Sequence, residues 1–200
     1  MRLLGVVGGM MVLMGLMATL QAIDLDVTPA DLERALAIAR SSERERAAFH
    51  APYIQTINTP AVETVEIVSE YRRVVLIAED RARKGDRAFT YSVSDAQKAI
   101  GPWHHRVAFR ARLRFHPQNN YIDVPPIDVV LEGHQSARVG VVREPLLGFA
   151  GRPSDGQPVL GAVVDGVFDA VAVGQGPRQF VVSLEKKEIG RYTFDLAALQ

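Results

Sequence analysis

Four arginines alternate with apolar residues along one stretch of this 200-residue sequence, and a row of guanidinium groups can bind anions. They are Arg106, Arg110, Arg112 and Arg114. Because successive side chains of a β-strand point to opposite faces, these four would share one face, with members two residues apart spaced by about 7 Å. Guanidinium groups bind carboxylates and phosphates through paired hydrogen bonds. The pattern therefore predicts Arg110, Arg112 and Arg114 as binding residues for an anionic partner.

Ion pairing within the protein is the competing interpretation of this row of arginines. Asp128 and Glu132 share one face of another predicted strand, and we expect at least one of them to face the arginines. If the row instead binds a ligand, one of its arginines should lack a carboxylate partner and line a concavity. The opposite face is predicted to be core, since a slip of one residue would expose Phe109, Leu113 and Phe115 and bury the guanidinium groups.

The histidines do not have the spacing that a metal site usually shows. None of the five lies four residues from another, and strand alternation predicts that His104 and His105 point in opposite directions. A cation near these two would also meet the guanidinium groups, which repel it. We therefore expect no metal and no cofactor.

Motifs of common catalytic sites are missing from the sequence. It contains no G-x-S-x-G, G-x-x-x-x-G-K-[ST], G-x-G-x-x-G or H-E-x-x-H pattern, and no cysteine that could act as a nucleophile. Ser183 and Lys186 have the S-x-x-K spacing of serine acyl-enzymes, but they lie where a predicted strand enters a turn, and that chemistry needs them one helical turn apart. Acidic residues that converge only in the fold are the remaining route to a hydrolase.

The first 22 residues have the composition of a secretory signal peptide. Arg2 is followed by an apolar run over residues 3–20 and by Ala22, after which an acidic segment begins. We predict cleavage after Ala22, which places the mature protein, from Ile23, in the periplasm or outside the cell. The alternative is an uncleaved N-terminal anchor, because the run approaches the ~20 residues that a membrane span needs.

The charges of the chain balance, with 23 lysines and arginines against 23 aspartates and glutamates. Such a chain has no long-range field to attract polyanions, which argues against nucleic acid as a partner. Hydrophobic residues make up 48% of the sequence, enough for a packed core at this length without disulfides.

Residues 23–101 are predicted to be helical because capping sequences recur there. Thr28 with Asp31, and Ser42 with Glu45, form capping boxes, in which each side chain accepts a hydrogen bond from the other residue's backbone N–H. Each box marks the first turn of a helix.

Two more helices are predicted before residue 102. One begins at Thr59-Pro60 and continues past Tyr71, although the β-branched residues of 62–68 leave a strand open there. The other has Ser94 as its N-cap and ends at Gly101-Pro102.

From residue 102 to residue 200 the hydrophobic period is 2 instead of 3.6, which predicts an antiparallel β region. The predicted strands are 103–115, 127–131, 138–143, 159–164, 167–168, 180–184 and 192–196. The stretch 148–158 is predicted to be a loop, and Asp165-Gly166 a hairpin turn. These elements predict an α+β fold, with N-terminal helices packed on a C-terminal antiparallel β-sandwich or curved β-sheet as one domain.

Together these features predict an exported, non-enzymatic protein that binds a protein partner or an anionic component of the cell envelope through its sheet. Two alternatives stay open. One is an envelope hydrolase whose acidic residues converge in the fold, and the other is a subunit of an envelope assembly that docks through helices 28–49 and 60–84. A pocket with paired carboxylates would favour the hydrolase, and a flat apolar helix face would favour the assembly.

Overall fold

A computed structural model describes residues 26–84, 91–119, 121–147 and 158–199. The predicted signal peptide and all but the last residue of the predicted loop 148–158 lie outside them. The described helices are α1 (Pro29–Ala39), α2 (Glu43–His50), α3 (Glu70–Arg83), α4 (Val93–Ile100) and α5 (Ala170–Val173). The described strands are β1 (Ile54–Thr56), β2 (Val62–Val68), β3 (Arg106–Arg114), β4 (Ile127–Leu131), β5 (Arg138–Leu147), β6 (Val159–Asp169), β7 (Pro177–Leu184) and β8 (Lys187–Asp195).

The described strands form two antiparallel sheets, so the mixed α+β class is confirmed. One sheet has five strands in the order β1-β2-β3-β6-β5, and the other has three in the order β4-β7-β8. β3 is the central strand of the larger sheet and pairs with a neighbour along both sides. No helix in the described ranges is long and apolar enough to cross a membrane.

The two capping boxes predicted from the sequence are present and begin α1 and α2. The predicted N-cap Ser94 is wrong, because α4 begins two residues earlier, with Ser92 as its N-cap and Asp95 completing a capping box. Ser92 and Ser94 each precede, by three residues, a side chain that can complete a capping box: Asp95 follows Ser92, and Gln97 follows Ser94. The carboxylate of Asp95 also interacts favourably with the positive end of the helix dipole, which an amide does not.

The helix predicted to begin at Thr59-Pro60 is wrong in its first half, whereas its second half is confirmed by α3. Residues 62–68 form β2, which pairs with β1 on one side and β3 on the other, and α3 begins only after the N-cap Ser69. β-branched residues dominate this segment, and their side chains pack well on a pleated sheet. Val62 and Val65 are buried there. Residues 54–68 of the region predicted to be helical therefore belong to the larger sheet.

Asp165-Gly166 does not form the predicted turn, because β6 runs through both residues and pairs with β3 and β5. A Cβ atom on Gly166 would lie 2.6 Å from the Cβ of Val129 in β4. Glycine is needed here for the close approach of the two sheets, and not for a turn. The tight turn lies instead at Glu185-Lys186, where both residues have positive φ angles and join β7 to β8.

Side chains of both sheets form one hydrophobic cluster. The predicted core face of β3 is confirmed, since Phe109, Leu113 and Phe115 are all buried. The ring of Phe109 stacks on that of Phe180 in β7, with centroids 4.6 Å apart. Aromatic contacts of this kind stabilise a core beyond the apolar area that they bury.

The edge strands of the smaller sheet each receive a hydrogen bond from a side chain of the larger sheet. The Nε of Arg143 in β5 donates to the backbone oxygen of Ile127 in β4, at 2.8 Å. On the other side, Nε2 of Gln55 in β1 donates to the backbone oxygen of Thr193 in β8, also at 2.8 Å. These bonds link the two sheets along both margins.

The helices bury their apolar faces mainly against one another. α1, α3 and α4 share a cluster that includes Leu36, Val74 and Ile100. A small third cluster, in which Leu76 of α3 packs with Ala108 of β3, connects the helices to the larger sheet. α3 therefore lies over one end of the face of the sheet that carries the arginines.

Candidate functional site

The arginines of β3 lie in two different environments. Arg110 lies near α3, and its guanidinium binds Asp165 through two hydrogen bonds, Nε to Oδ1 at 2.7 Å and Nη2 to Oδ2 at 2.8 Å. Glu66 is 3.6 Å from the Nη1 of Arg110. The hydrogen bonds to Asp165 raise the pKa of Arg110 well above its usual value. Of the three predicted binding residues, Arg110 is thus engaged by the protein's own carboxylates.

A buried ion-pair network continues from Glu66 into the helices. The side chain of Arg72 in α3 is only 1% exposed and binds Glu66, the backbone oxygen of Ile67 and the Nδ1 of His50. Because a guanidinium can only donate, the Nδ1 of His50 accepts, and its Nε2–H donates to Glu79 at 3.1 Å. Burial lowers the pKa of Arg72, opposed by the attraction of Glu66. This network holds α2, α3 and β2 together.

Arg112 and Arg114 lie beyond α3 and share a single carboxylate. The Nε of Arg112 is 2.9 Å from one oxygen of Glu63, and Nη2 of Arg114 contacts the other oxygen. The two side chains are 51% and 72% exposed. Two positive charges thus share one carboxylate within ion-pair distance. The next carboxylate along this row is that of Glu144 in β5, which is in register with Arg112 through Val163 of β6 and so lies two strands away.

The carboxylates that face the arginines are not the ones that the sequence predicted. Asp128 binds Arg138, and Glu132 binds Arg191. That prediction is wrong because β4 belongs to the smaller sheet, whereas β2 and β6 flank β3 and contribute Glu63, Glu66 and Asp165.

Every one of the three predicted binding arginines has a carboxylate partner, so the expectation of an unpartnered arginine among them is not met. In the described part of the chain, Arg106 has no carboxylate within the 4.0 Å that defines an ion pair. Arg112 and Arg114 line a concavity, but both have a carboxylate partner, so within the described ranges no arginine of the row meets both parts of the expectation.

A groove of about 490 Å³ lies beside Arg112 and Arg114. Its apolar wall is formed by Pro117, Leu146, Leu147 and Leu160, and Glu63 also lines it. A Cβ atom on the nearby Gly161 would lie 2.3 Å from the backbone oxygen of Leu113 and 3.3 Å from Cδ1 of Leu146, two residues of this groove. Sites for small molecules typically have volumes of roughly 300–1,000 Å³. The groove thus offers two guanidinium groups next to an apolar surface.

The second groove lies among the helices and is mainly polar. It has a volume of about 480 Å³ and is lined by Ala39, Arg40, Arg46, Glu79, Ala82 and Arg83. Two of its three arginines already have partners, since Arg46 lies 3.4 Å from Glu79 and Arg40 donates to the backbone oxygen of Tyr91. Its only apolar side chains are those of two alanines, so it has no surface for an alkyl chain.

The two grooves described above do not hold the pair of carboxylates that a hydrolase would need. Each of the two grooves contains one carboxylate, Glu63 or Glu79. The pKa of the buried Asp31 is lowered, chiefly by its hydrogen bond with Thr28, so this carboxyl group is ionised at neutral pH. A general acid needs the opposite shift.

The turn before β3 brings His104 and His105 together, which contradicts the prediction that they point in opposite directions. Their ring centroids are 3.8 Å apart. The reason is the φ angle of His105, which is +56°, so the strand alternation that the prediction assumed does not hold there. The Nε2 of His105 is 3.0 Å from the Oδ1 of Asp26, and this hydrogen bond lowers the pKa of Asp26.

The chain matches no family model, and no curated protein or solved structure matches it. Its function has to be inferred from the side chains described above.

Proposed function

We propose that this protein is an exported, non-enzymatic binding protein of the cell envelope. Its ligand is an amphiphile that carries a carboxylate or a phosphate group on an alkyl chain. The observation that carries the proposal is that Arg112 and Arg114 share a single carboxylate directly beside the apolar wall of the groove. The anionic group binds the two guanidinium groups, and the alkyl chain lies along the leucines.

The hydrogen-bonding capacity of the two arginines supports this proposal. Each guanidinium has five N–H donors, and the single carboxylate of Glu63 has two oxygens to share between them. Donors are therefore left for a second anion, which would form charge-assisted hydrogen bonds of the stronger kind. Because the site is open to solvent, we expect its affinity to fall as the ionic strength rises.

Export is the second part of the proposal, and the composition of residues 1–22 supports it. A protein purified from the envelope or the medium should begin at Ile23, which an intact-mass measurement decides. A membrane-bound species that retains Met1–Ala22 would contradict cleavage and favour the anchor.

The architecture of the β region is a further part of the proposal. The two sheets pack face to face as a β-sandwich, an arrangement supported by the stacking of Phe109 on Phe180 and by the hydrogen bonds along both margins. The helices then pack on the same domain through α3.

The two other functions have less support. The hydrolase needs a second carboxylate in a groove, and the grooves described above contain one each. The assembly subunit needs a free apolar helix face, whereas α1 and α3 pack against each other and α4. Nucleic acid does not suit a chain with zero net charge.

Calorimetric titration with alkyl phosphates of increasing chain length, below their micelle concentrations, tests the proposal. Dodecyl phosphate and dodecanoate should bind, whereas inorganic phosphate and an uncharged dodecyl glycoside should bind more weakly. The double variant Arg112→Gln/Arg114→Gln should bind dodecyl phosphate at least tenfold more weakly, since hydrogen bonds to charged groups contribute about 1.5–3 kcal/mol each.

Arg106→Gln is the matched control, because it removes an exposed arginine from the same row at the far end of β3. It should bind dodecyl phosphate like the native protein. Glu63→Gln should bind more tightly, since it removes the carboxylate that competes for both guanidinium groups. The proposal is wrong if the native protein binds neither amphiphile, or if the double variant and Arg106→Gln bind equally well.

A further inference from the structure

Three segments of the chain meet at the turn that precedes β3. Asp26 precedes α1, Glu70 is the first residue of α3, and the turn itself contains His104 and His105. One nitrogen from each histidine and one carboxylate oxygen of Asp26 lie within 4.8 Å of one another. Imidazole and carboxylate groups are both common ligands of transition metals.

The backbone holds the two imidazole rings side by side. His104 has φ −55° and ψ 130°, and His105 has φ +56°, which is the pattern of a type II turn. The backbone N–H of His105 donates to the Oε2 of Glu70 at 3.1 Å, and its backbone oxygen accepts from the N–H of Ala170 at 2.8 Å. The turn is thus fixed on both sides without any ligand.

We propose that His104, His105 and Asp26 form a binding site for a divalent transition-metal ion such as Zn²⁺. Two imidazole nitrogens and one carboxylate oxygen suit Zn²⁺, Cu²⁺ or Ni²⁺, whereas Ca²⁺ and Mg²⁺ take oxygen ligands. The three groups leave a coordination position open to solvent. This site is separate from the groove at Arg112 and does not depend on the function proposed for it.

Only small movements are needed to close the site around an ion. Ligand atoms of tetrahedral zinc lie about 3.4 Å apart, because zinc–ligand bonds are about 2.0–2.1 Å long. The side chains of His104 and Asp26 are 56% and 82% exposed, so rotations about their own bonds can bring the donor atoms closer. The backbone of the turn does not have to move.

Glu70 has the position of a residue that orients a metal ligand. Its side chain is only 6% exposed, and its Oε1 lies 3.4 Å from the Nδ1 of His104. Metal-bound histidines commonly donate their second ring N–H to a carboxylate, which fixes the ring and makes the other nitrogen a better ligand. This contact leaves the Nε2 of His104 as the atom that binds the ion. Glu70 is therefore a positioning residue.

The guanidinium groups that would repel a cation are mostly far from this turn. With a rise of about 3.3 Å per residue, Arg110 lies about 16 Å from His105 along the strand, and Arg112 and Arg114 lie farther still. Asp26 and Glu70 place two carboxylates at the site, against the guanidinium groups of the adjacent Arg106 and of Arg73, which lies 3.5 Å from the ring centroid of Trp103. The charge near the histidines therefore does not oppose a divalent cation.

The experiment is a zinc titration of the purified full chain without a histidine tag, in competition with a chelating indicator, together with thermal melts. Zinc should bind and raise the Tm of the native protein, because an ion that binds only the folded state stabilises it. His104→Gln should weaken binding at least tenfold. His116→Gln, which replaces an exposed histidine beyond the other end of β3, is the control and should bind zinc like the native protein.

His105→Gly separates a ligand from a structural residue. Glycine is the preferred residue at this position of a type II turn, so the metal-free variant should melt at the native temperature or above it. It should nevertheless lose its zinc binding. A residue needed only for the fold would give the opposite result, with a lower Tm and unchanged zinc affinity.

Glu70→Gln tests the positioning role. Loss of such a carboxylate typically weakens metal binding by about 10–100-fold, and zinc affinity is to be compared at a temperature where the melt shows the variant fully folded. The proposal is wrong if the native protein binds no zinc in molar excess. It is also wrong if His104→Gln and His105→Gly bind zinc as tightly as the native protein, or if Ca²⁺ raises the Tm as much as Zn²⁺ does.

Discussion

Two glutamates of β2 allow the same substitution to be compared in a buried and in an exposed ion pair. Glu66 binds Arg72 of α3, whose side chain is only 1% exposed, and it also lies near Arg110. Glu63 binds Arg112 and Arg114, which are both exposed. Both substitutions to glutamine keep the size of the side chain and remove one negative charge next to two arginines.

We expect Glu66→Gln to be much more destabilising than Glu63→Gln. Removing one partner of a buried ion pair costs about 3–5 kcal/mol, because the other charge stays buried without compensation. Glu66 keeps 19% of its side chain exposed, so we expect a cost about 1 kcal/mol below this range, about 2–4 kcal/mol. Exposed ion pairs contribute about 0–1 kcal/mol, which is the upper limit expected for Glu63→Gln.

Urea unfolding followed by circular dichroism measures this difference. For an m-value of about 2 kcal/mol/M, Glu66→Gln should lower the midpoint by about 1–2 M and Glu63→Gln by less than about 0.5 M. In thermal melts the corresponding decreases in Tm are about 4–16 °C and at most about 4 °C. The native protein, Glu66→Gln and Glu63→Gln should have equal m-values, which checks that unfolding remains two-state.

The double variant Glu66→Gln/Arg72→Met distinguishes an uncompensated charge from lost packing. If the cost of Glu66→Gln comes from the buried guanidinium, replacing Arg72 with an apolar side chain should recover much of the lost stability. Equal destabilisation by Glu66→Gln and Glu63→Gln would refute the reasoning, because burial would then have no effect on the strength of these pairs.

Four shorter predictions concern other parts of the chain. The pKa of Asp31 is lowered in the folded state, chiefly by its hydrogen bond with Thr28, so its contribution to stability is present above the usual pKa of 3.8 and is lost on further acidification; Asp31→Asn should reduce Tm at pH 7, by an amount that decreases as the pH falls below 3.8. Gly166→Ala should cost about 1–3 kcal/mol in urea unfolding because its Cβ would lie 2.6 Å from a valine of β4, whereas Gly140→Ala, with no atom within 4 Å, should be nearly neutral. Arg73→Met should leave Tm nearly unchanged, since burial lowers the pKa of Arg73 to about 10 and its Nη2 has no hydrogen-bond partner, whereas its guanidinium lies 3.5 Å from the ring centroid of Trp103 in a stabilising contact that the variant loses. Residues 23–101 expressed alone should show no cooperative melt, because β2 then lacks β3.

Features that depend on neighbours in the sequence could be predicted correctly. The capping boxes of α1 and α2 need only residues three apart, and both are present. The core face of β3 followed from alternation alone, because the other register would have buried several guanidinium groups. The α+β class was predicted in the same way, because the hydrophobic period changes from 3.6 to 2 at residue 102.

Features that depend on distant parts of the chain could not be predicted. The capping sequence Thr59-Pro60 and the β-branched residues after it indicate different structures, and the pairing of β2 with β3 decides between them. Asp165-Gly166 has the sequence of a turn, but its glycine serves the contact with β4. The pairing of His104 and His105 needs a positive φ angle that histidine adopts only rarely, so alternation predicted the wrong direction.

The hydrogen bonds from Arg143 to β4 and from Gln55 to β8 also bear on how this protein meets other polypeptides. An edge strand with free carbonyl and amide groups can recruit a strand from another chain, which is a common start of aggregation. Here one carbonyl group on each edge of the smaller sheet is already occupied by a side chain of the larger sheet. An incoming strand would have to displace a hydrogen-bonded side chain at either edge before it could pair in register. The contacts that join the two sheets therefore also hinder the pairing of another chain with either edge of the smaller sheet.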